Sequence, residues 1–284
     1  MIAPSEVAVA FLAACRDEIE APKPGNVHKF ASGHGMVAEE FLASASAAAP
    51  FLAEQGARVG MRILRAVEAT FAAVGKNTNL GILLLCGPLA AAVEVGSSDL
   101  RGNLAIVLRN LDRADTEKVF VAIRLAQPAG LGHAPRHDVR GAAQAALCEV
   151  MQEAAQRDRI ARQYVTTFDD IFVTGAATLA QARARNLEPP WTTLSIYLTF
   201  LAAFPDSHIV RKCGTAAAVE VQAGARELLA VFERRPTDCL VELLEFDGRL
   251  KAQNRNPGTS ADLTVATLFA DRLSDILLRH CNDG

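Results

Sequence analysis

Apolar residues recur at helical spacing along almost the whole chain, and this periodicity restricts the fold more than any other feature. One stripe joins Val7, Phe11, Cys15 and Ile19, and similar stripes follow in most later segments. Alternating apolar segments joined by a hairpin turn are absent from the sequence. We therefore predict an all-α fold, a single compact bundle of about a dozen helices.

The apolar segments also predict where individual helices lie. Segment 119–125 alternates like a strand, but its Asp115-Thr116 start and alanine-rich neighbours favour a helix. The uncharged run 80–93 is shorter than the roughly 20 residues of a membrane span and contains Pro88, so we expect a buried central helix and no membrane segment. Further helices are predicted over roughly residues 37–49, 99–111, 138–155, 168–185, 191–203, 212–233, 237–247 and 260–281.

No internal repeat or low-complexity linker divides the 284 residues. The best candidate break, Glu188-Pro189-Pro190, is too short for a domain linker and suits a helix start. We predict one domain over residues 1–284. The alanine-rich helix around residues 43–49 fits a close helix contact inside one chain or across a homodimer, and the sequence leaves both open.

Composition excludes several classes of protein. The net charge of −3 and the single Trp and two Tyr argue against nucleic-acid binding, so any anion site must be local. The six cysteines form no Cys-x-x-Cys pair and lie mostly in apolar segments, which indicates reduced, buried thiols. The first residues carry no basic region ahead of an apolar stretch, so we expect no signal peptide and a cytoplasmic protein.

Three polar turns that lead into apolar helical segments are the strongest functional signal. They cover residues 22–28, 75–81 and 256–264. In the last of them, Thr259 or Ser260 can cap the helix, and Asp262 suits the positive end of its dipole. Because helix N-termini bind phosphate, we predict one polyanion site assembled from distant parts of the chain.

Most histidines lie in polar turns outside the helical stripes: His28, His34, His133, His137 and His208. His133 and His137 are four residues apart, but Pro135 interrupts a regular helix between them, which disfavours a zinc site. His137 and Asp138 are expected at a loop-to-helix junction, where they could contact Mg²⁺, phosphate or a substrate hydroxyl. Asp138 could also cap the following helix. His34, between two glycines, could act from a flexible turn or from a lid over substrate.

Four segments carry a family resemblance. Lys-Pro-Gly-Asn-Val at 23–27, Asn-Thr-Asn-Leu-Gly at 77–81 and Pro-Gly-Thr-Ser-Ala-Asp-Leu at 257–263 are similar to signature blocks of the triphosphoribosyl-dephospho-CoA synthase family. Residues 206–212 resemble a fourth block, and the resemblance covers nearly the whole chain. It implies an all-α enzyme that transfers the triphosphoribosyl group of ATP to a hydroxyl of dephospho-CoA and releases adenine. The chain most resembles a divergent branch found in archaea and methylotrophic bacteria.

The resemblance also implies roles in binding and in proton transfer. Lys23, Lys212 and the helix starts at Thr78 and Thr259 would hold the triphosphate, with Mg²⁺ neutralising much of its charge. A carboxylate or a histidine must deprotonate the acceptor hydroxyl. The candidates, which the sequence does not rank, are Asp138, His137 and His208.

The remaining candidates implied by the resemblance are amides, carboxylates and small turn residues. The amides expected to bind adenine as it leaves are Asn26, Asn77 and Asn79. The candidate metal ligands are Asp138, Asp206 and Asp262, of which Asp262 is equally suited to a helix dipole. The expected nucleotide site is completed by Gly25, His28, His34, Gly258 and Ser260.

The chain departs from the family pattern at positions where substrate would bind. Asn79-Leu80 replaces a usual His-Lys pair, and Arg211-Lys212-Cys213 stands where Arg-Gly-Gly is commoner. Thr259 replaces a usual glycine. These differences leave open a ribosyl transfer onto another coenzyme precursor, such as a pterin of one-carbon metabolism. Two further alternatives are an all-α, Mg²⁺-dependent nucleotide or ADP-ribose hydrolase and a non-catalytic helical scaffold.

Overall fold

The computed structural model describes residues 2–282, and this part of the chain forms fourteen α-helices and one π-helical segment, with only isolated β-bridges. This confirms the predicted all-α fold. The first seven helices are α1 (Pro4–Glu20), α2 (Ala38–Leu52), α3 (Val59–Val74), α4 (Leu80–Ala92), α5 (Leu100–Arg109), α6 (Arg113–Ala126) and α7 (Leu147–Ala154). The others are α8 (Arg159–Thr166), α9 (Ala176–Ala184), α10 (Pro189–Ala203), α11 (Ser207–Cys213), α12 (Thr215–Arg234), α13 (Leu240–Ala252) and α14 (Gly258–Asn282), and the π-helical segment Asp170–Gly175 leads into α9.

Most predicted helices lie close to their observed positions, but one prediction is wrong. The helix expected over 138–155 begins only at Leu147, and residues 127–146 form a connection without an α-helix. Asp138 instead accepts hydrogen bonds from the backbone N–H groups of Ala134 and Arg140, and this turn replaces the predicted helix start. The alternating segment 119–125 lies inside α6, as predicted.

The core is built around α4 and α14. Nearly every residue of α4 is buried, which confirms the predicted central helix. Helix α14 packs against α1, α4 and α10. Its first turns contribute Ala261 to an apolar cluster formed mainly by α10, α12 and α13, and Leu263 to the larger cluster of the remaining helices. The start of α14 therefore lies where the two clusters meet.

The first and last helices of the chain pack together. Arg272 of α14 forms an ion pair with Asp17 of α1, and His280 lies 3.1 Å from Glu6. This packing brings the turn that follows α1 close to the turn that precedes α14, as a single site built from both requires. No helix in the described part of the chain is long and apolar enough to cross a membrane.

Candidate active site

A cavity of about 600 Å³ lies between the first turns of α4 and α14, helices α7 and α8, and the 127–146 connection. Its walls include parts of all the turns that the sequence singles out. Those wall segments fall within residues 18–41, 77–84, 119–139, 147–161, 208–212 and 256–262. Segments more than 200 residues apart thus meet around one space.

The turn before α4 is fixed by its own polar side chains. Asn77 accepts a hydrogen bond from the backbone N–H of Leu80 at 3.2 Å, which satisfies one free donor of the helix start. Thr78 donates to the Ser44 hydroxyl at 2.6 Å, and the Asn79 amide donates to the Thr70 hydroxyl at 3.1 Å. These bonds hold three cavity-lining residues in place and leave the Asn77 amide N–H groups and the Asn79 carbonyl free for a ligand.

The turn after α1 is locked against the turn before α14. Gly25 has a φ of +80°, and a Cβ there would lie 2.7 Å from a Leu250 methyl group, so glycine is required. Asn26 donates to the Asn256 side chain at 2.8 Å, and both line the cavity. His34 donates through Nε2 to the Gly25 carbonyl at 2.8 Å, which leaves its buried Nδ1 without a partner.

Two of the predicted binding side chains in this turn, those of Lys23 and His28, do not line the cavity. The Lys23 side chain is 0% exposed and forms an ion pair with Glu18, and it donates to Asn26 at 2.8 Å. Burial lowers the pKa of Lys23 and raises the pKa of Glu18. His28 is buried 3.5 Å from Asp247. Lys23 and His28 therefore organise the turn, whereas Glu18 is the member of this group that reaches the cavity wall.

The start of α14 is capped differently from the sequence prediction. Neither Thr259 nor Ser260 caps the helix: the Ser260 backbone N–H and hydroxyl both donate to Oδ2 of Asp206, at 2.8 and 2.9 Å. Oδ1 of Asp206 accepts from the N–H groups of His208 and Ile209 at the start of α11. One buried carboxylate thus serves two helix starts because α11 and α14 approach each other closely.

Asp262 is a carboxylate of the cavity wall that has no hydrogen-bond partner in the described part of the chain. It lies near the start of α14, one turn in from Gly258. Burial and the nearby carboxylates of Asp206 and Glu18 raise its pKa well above the usual range. A Cβ at Gly81 would overlap the Asp262 carboxylate, so Gly81 allows this group to lie directly against the start of α4.

His208 lies on the cavity wall beside Gly258, where a Cβ would overlap its Nδ1. Burial, together with the positive charges of Arg211 and Lys212, lowers the pKa of His208 to about 3. The imidazole is therefore neutral at neutral pH and has a lone pair with which it can accept a proton.

The 127–146 connection holds two further candidates. Asp138 accepts hydrogen bonds from the N–H groups of Ala134 and Arg140, each at 2.9 Å, and these bonds lower its pKa. It closes a turn and does not cap a helix, which corrects the sequence prediction. His137, at a φ of +52°, lines the cavity with a buried Nδ1 that has no partner.

Cationic side chains line the side of the cavity near α11. Arg211 donates to Asp158 at 2.7 Å, while its buried Nε has no hydrogen-bond partner. Lys212 is exposed at the rim. The other cations of the wall are Arg136 and Arg157, and its carboxylates are Glu18, Asp138, Glu153, Asp158 and Asp262. The wall therefore carries no excess of positive charge with which to hold a polyphosphate.

The cavity collects most of the candidates chosen from sequence. Those that line it are Asn26, His34, Asn77, Thr78, Asn79, His137, Asp138, His208, Lys212, Gly258 and Asp262. Those that lie behind the wall are Lys23, Gly25, His28, Asp206, Thr259 and Ser260. The sequence candidates omitted Glu18, Glu153 and Asn256. Of these three, only Asn256 could have been selected from the sequence, because it is the first residue of the polar turn 256–264.

Comparisons with known proteins show which family this chain resembles. The family model described as ATP:dephospho-CoA triphosphoribosyl transferase matches residues 4–280. A 2-(5''-triphosphoribosyl)-3'-dephosphocoenzyme-A synthase of Klebsiella pneumoniae is 28% identical over 70% of this chain, which spans 64% of that relative's length. A Citrobacter koseri relative named as a probable synthase of the same kind is 27% identical over 91% of this chain and 87% of its own length. A crystal structure named as a triphosphoribosyl-dephospho-CoA synthase of Archaeoglobus fulgidus superposes with a TM-score of 0.63 at 27% identity, covering 81% of this chain and 96% of that one.

Proposed function

Because the chain belongs to the ATP:dephospho-CoA triphosphoribosyl transferase family, we propose that it transfers the triphosphoribosyl group of ATP to a hydroxyl of dephospho-CoA and releases adenine. One observation carries this activity: the turns around Asn26, Asn77 and Asp262 and the start of α11 all line the same cavity. These segments are far apart in sequence, and each contributes amide, hydroxyl, carboxylate or cationic groups. Helix capping alone would not require them to face a common space.

The triphosphate is held beside α11 and the first turn of α14. Arg211 offers a buried N–H without a partner, and Lys212 adds a mobile positive charge at the rim. The helices that begin at Leu80 and Gly258 direct the positive ends of their dipoles toward the cavity. Lys23 does not contact the triphosphate in this proposal. Its charge is paired with Glu18, and its amine donates a hydrogen bond that positions Asn26.

The donor set fits a Mg²⁺ ion bound together with ATP. No group of three or more His, Cys, Asp or Glu side chains within residues 2–282 is arranged to hold a metal by itself. Mg²⁺ in nucleotide enzymes instead needs one or two carboxylates and the phosphate oxygens. Asp262 has no hydrogen bond and is repelled by nearby carboxylates, so it would hold the ion, with Glu18 beside it. The oxygens of Asp138 and Asp206 already accept hydrogen bonds. The ion would supply positive charge opposite the triphosphate.

In the reaction a bond forms between the acceptor oxygen and C1′ of the ribose, and the bond between C1′ and adenine breaks. The hydroxyl proton is removed and adenine gains a proton as it leaves, so no other reactant is consumed. The transition state resembles an oxocarbenium ion, as in glycoside hydrolysis. Carboxylates such as Asp262 and Glu18 favour this positive charge electrostatically.

We assign the proton acceptor to His208. It is neutral and lines the cavity, and its pKa is low because the ring is buried and because Arg211 and Lys212 lie near it. A bound triphosphate neutralises these two cations and raises the pKa of His208 toward the range useful for a base. Asp138 is a weaker candidate because two backbone N–H groups stabilise its charged form. His137 remains an alternative, because it also lines the cavity.

The decisive experiment measures adenine release and the mass of the acceptor product. Purified protein is incubated with ATP and Mg²⁺, with and without dephospho-CoA. Adenine together with a triphosphoribosyl adduct, formed only when dephospho-CoA is present, is the expected result. Adenine release without acceptor would favour the hydrolase alternative, and binding of ATP without any transfer would redirect the search to acceptors such as a pterin. The comparisons favour neither alternative.

The same incubation can be given a matched pair of variants on α14. Asp262→Asn is expected to slow transfer by roughly a hundredfold or more, whereas Asp275→Asn, an exposed position on the same helix, should leave it unchanged. The predicted cytoplasmic location, homodimer and absence of nucleic-acid binding stay predictions.

A further inference from the structure

Helix α7 presents an apolar face to the cavity. Leu147, Val150, Met151 and Ala154 follow the i, i+3, i+4, i+7 spacing of one helical face, and all four line the cavity wall. None of the four signature segments contributes a residue to this face. A flat, uncharged part of a ligand is the group that such a wall would bury favourably.

One charged side chain interrupts this apolar wall. Both carboxylate oxygens of Glu153 are buried and have no hydrogen-bond partner. The side chain is 13% exposed, and its ion-pair partner Arg136 approaches it at 3.2 Å from the 127–146 connection but is itself 78% exposed. A buried carboxylate without hydrogen bonds is unfavourable, so this position calls for a donor that a ligand can supply.

The other carboxylates of the wall are accounted for. Asp138 and Asp158 accept backbone N–H bonds, Glu18 is paired with Lys23, and Asp262 is assigned to Mg²⁺. Glu153 differs from them because it stands among apolar residues and needs N–H groups. Phosphate would be repelled there, and an aromatic amine fits both the flat wall and the carboxylate.

Resting on the proposed function, we propose that the α7 wall binds the adenine ring of ATP and that Glu153 reads the ring by accepting a hydrogen bond from its exocyclic amine. Met151 and Val150 would contact the faces or edge of the ring, and the ribose and triphosphate would extend toward α11 and α14. Glu153 would then be a specificity-determining residue for the nucleoside donor. A site that hydrogen-bonds a substrate amine rejects an analogue that lacks it, because its own polar group is left unpaired.

The test compares ATP with purine riboside triphosphate, which has the same ring without the amine. Dissociation constants for both are measured with Mg²⁺ by calorimetric titration. We expect the unmodified protein to bind ATP at least about tenfold more tightly, which is the scale of one hydrogen bond to a charged group. Glu153→Leu should lower this ratio to below about threefold. Glu149→Leu, an exposed glutamate on the same helix, should keep the original ratio.

Two results would overturn the assignment. One is equal binding of the two nucleotides by the unmodified protein, which requires no variant to fold. The other is a Glu153→Leu protein that keeps the preference for ATP, or that changes only the affinity for dephospho-CoA. Failure of the proposed function is separate, since a protein that discriminates the two nucleotides but forms no adduct would retain this base site while losing the transferase assignment.

Discussion

Oδ2 of Asp206 accepts hydrogen bonds from both the backbone N–H and the hydroxyl of Ser260, 54 residues further along the chain. Its other oxygen caps α11. This single carboxylate therefore fixes the relative position of two helix starts that line the cavity. Burial raises its pKa while the four hydrogen bonds oppose that effect, so the carboxylate depends on keeping all its partners.

Replacing this carboxylate should cost more stability than removing one of its partners. Asp206→Ala leaves buried backbone N–H groups of α11 and α14 unsatisfied, and we expect a loss of about 3 kcal/mol in the free energy of unfolding. Ser260→Ala keeps the backbone bond and should lose only about 1 kcal/mol. Urea denaturation of both variants checks the order, and equal losses would argue against the bridging role.

Lys23 offers a test of structural against ligand-binding roles. Because Lys23 and Glu18 are both buried, Lys23→Met leaves an uncompensated carboxylate, and we expect a loss of about 3–5 kcal/mol in stability. The double variant Glu18→Gln/Lys23→Met should recover part of that loss. If Lys23 instead held the triphosphate directly, the single variant would raise the KM for ATP and leave the denaturation midpoint unchanged.

Asp262 should show opposite effects on activity and on stability. Its pKa is raised in the folded protein, so its contribution to stability is present at low pH and is lost as the pH rises through the folded pKa. Asp262→Asn should therefore raise the melting temperature at neutral pH more than at about pH 4, while lowering kcat by roughly a hundredfold or more. Melting curves at both pH values and adenine release measure the two effects, and a variant that is both active and less stable would contradict them.

Gly81 should be intolerant of even the smallest side chain. A Cβ at Gly81 would overlap the Asp262 carboxylate, so Gly81→Ala should displace that group and reduce activity. Gly248→Ala is the matched control, because a Cβ there meets no atom within 4 Å in the middle of α13. That control should gain up to about 1 kcal/mol from better helix propensity with unchanged turnover. Full activity of Gly81→Ala would mean that Asp262 does not need its observed position.

His208 should make the ligand-free protein sensitive to acid. Its pKa falls from 6.5 to about 3 on folding, so the unfolded chain binds a proton that the folded chain does not. Stability from this residue is complete above the unfolded pKa and declines as the pH falls, by about 2 kcal/mol at pH 5. The difference in pH dependence between the unmodified protein and His208→Gln gives the contribution of His208 to the free energy of unfolding. Saturating ATP with Mg²⁺ should reduce the difference, and an identical pH dependence of the two proteins would refute it.

The sequence predicted the elements of this fold better than it predicted which way their side chains point. The uncharged apolar run locates α4, whose residues are nearly all buried, and helical periodicity locates α14. Periodicity cannot reveal that Asp206 caps α14 from outside the helix, since that bond depends on how two helix starts pack. The predicted start of a helix at Asp138 was wrong because a local turn, closed by backbone N–H groups, satisfies the carboxylate equally well.

The candidate site was predictable only where its residues share a turn. Asn77 and Asp262 stand in polar turns with clear signals, and both line the cavity. Glu18 and Glu153 occupy helices whose patterns resemble ordinary amphipathic segments, so their position at the wall follows from tertiary packing alone. Lys23 shows the opposite error. It stands in a signature turn and was predicted to bind substrate, but its charge is paired with the buried Glu18.

The bond between the side chains of Asn26 and Asn256 spans 230 residues. During synthesis on the ribosome, the early turn lacks this hydrogen-bond partner, and the cavity lacks the wall made by α14, until the closing turn and the start of α14 emerge. Unfinished chains should therefore be unable to sequester nucleotide, and ATP should favour the native state only after synthesis has passed the start of α14. Binding of ATP by a nascent chain would therefore indicate that the start of α14 has been synthesised.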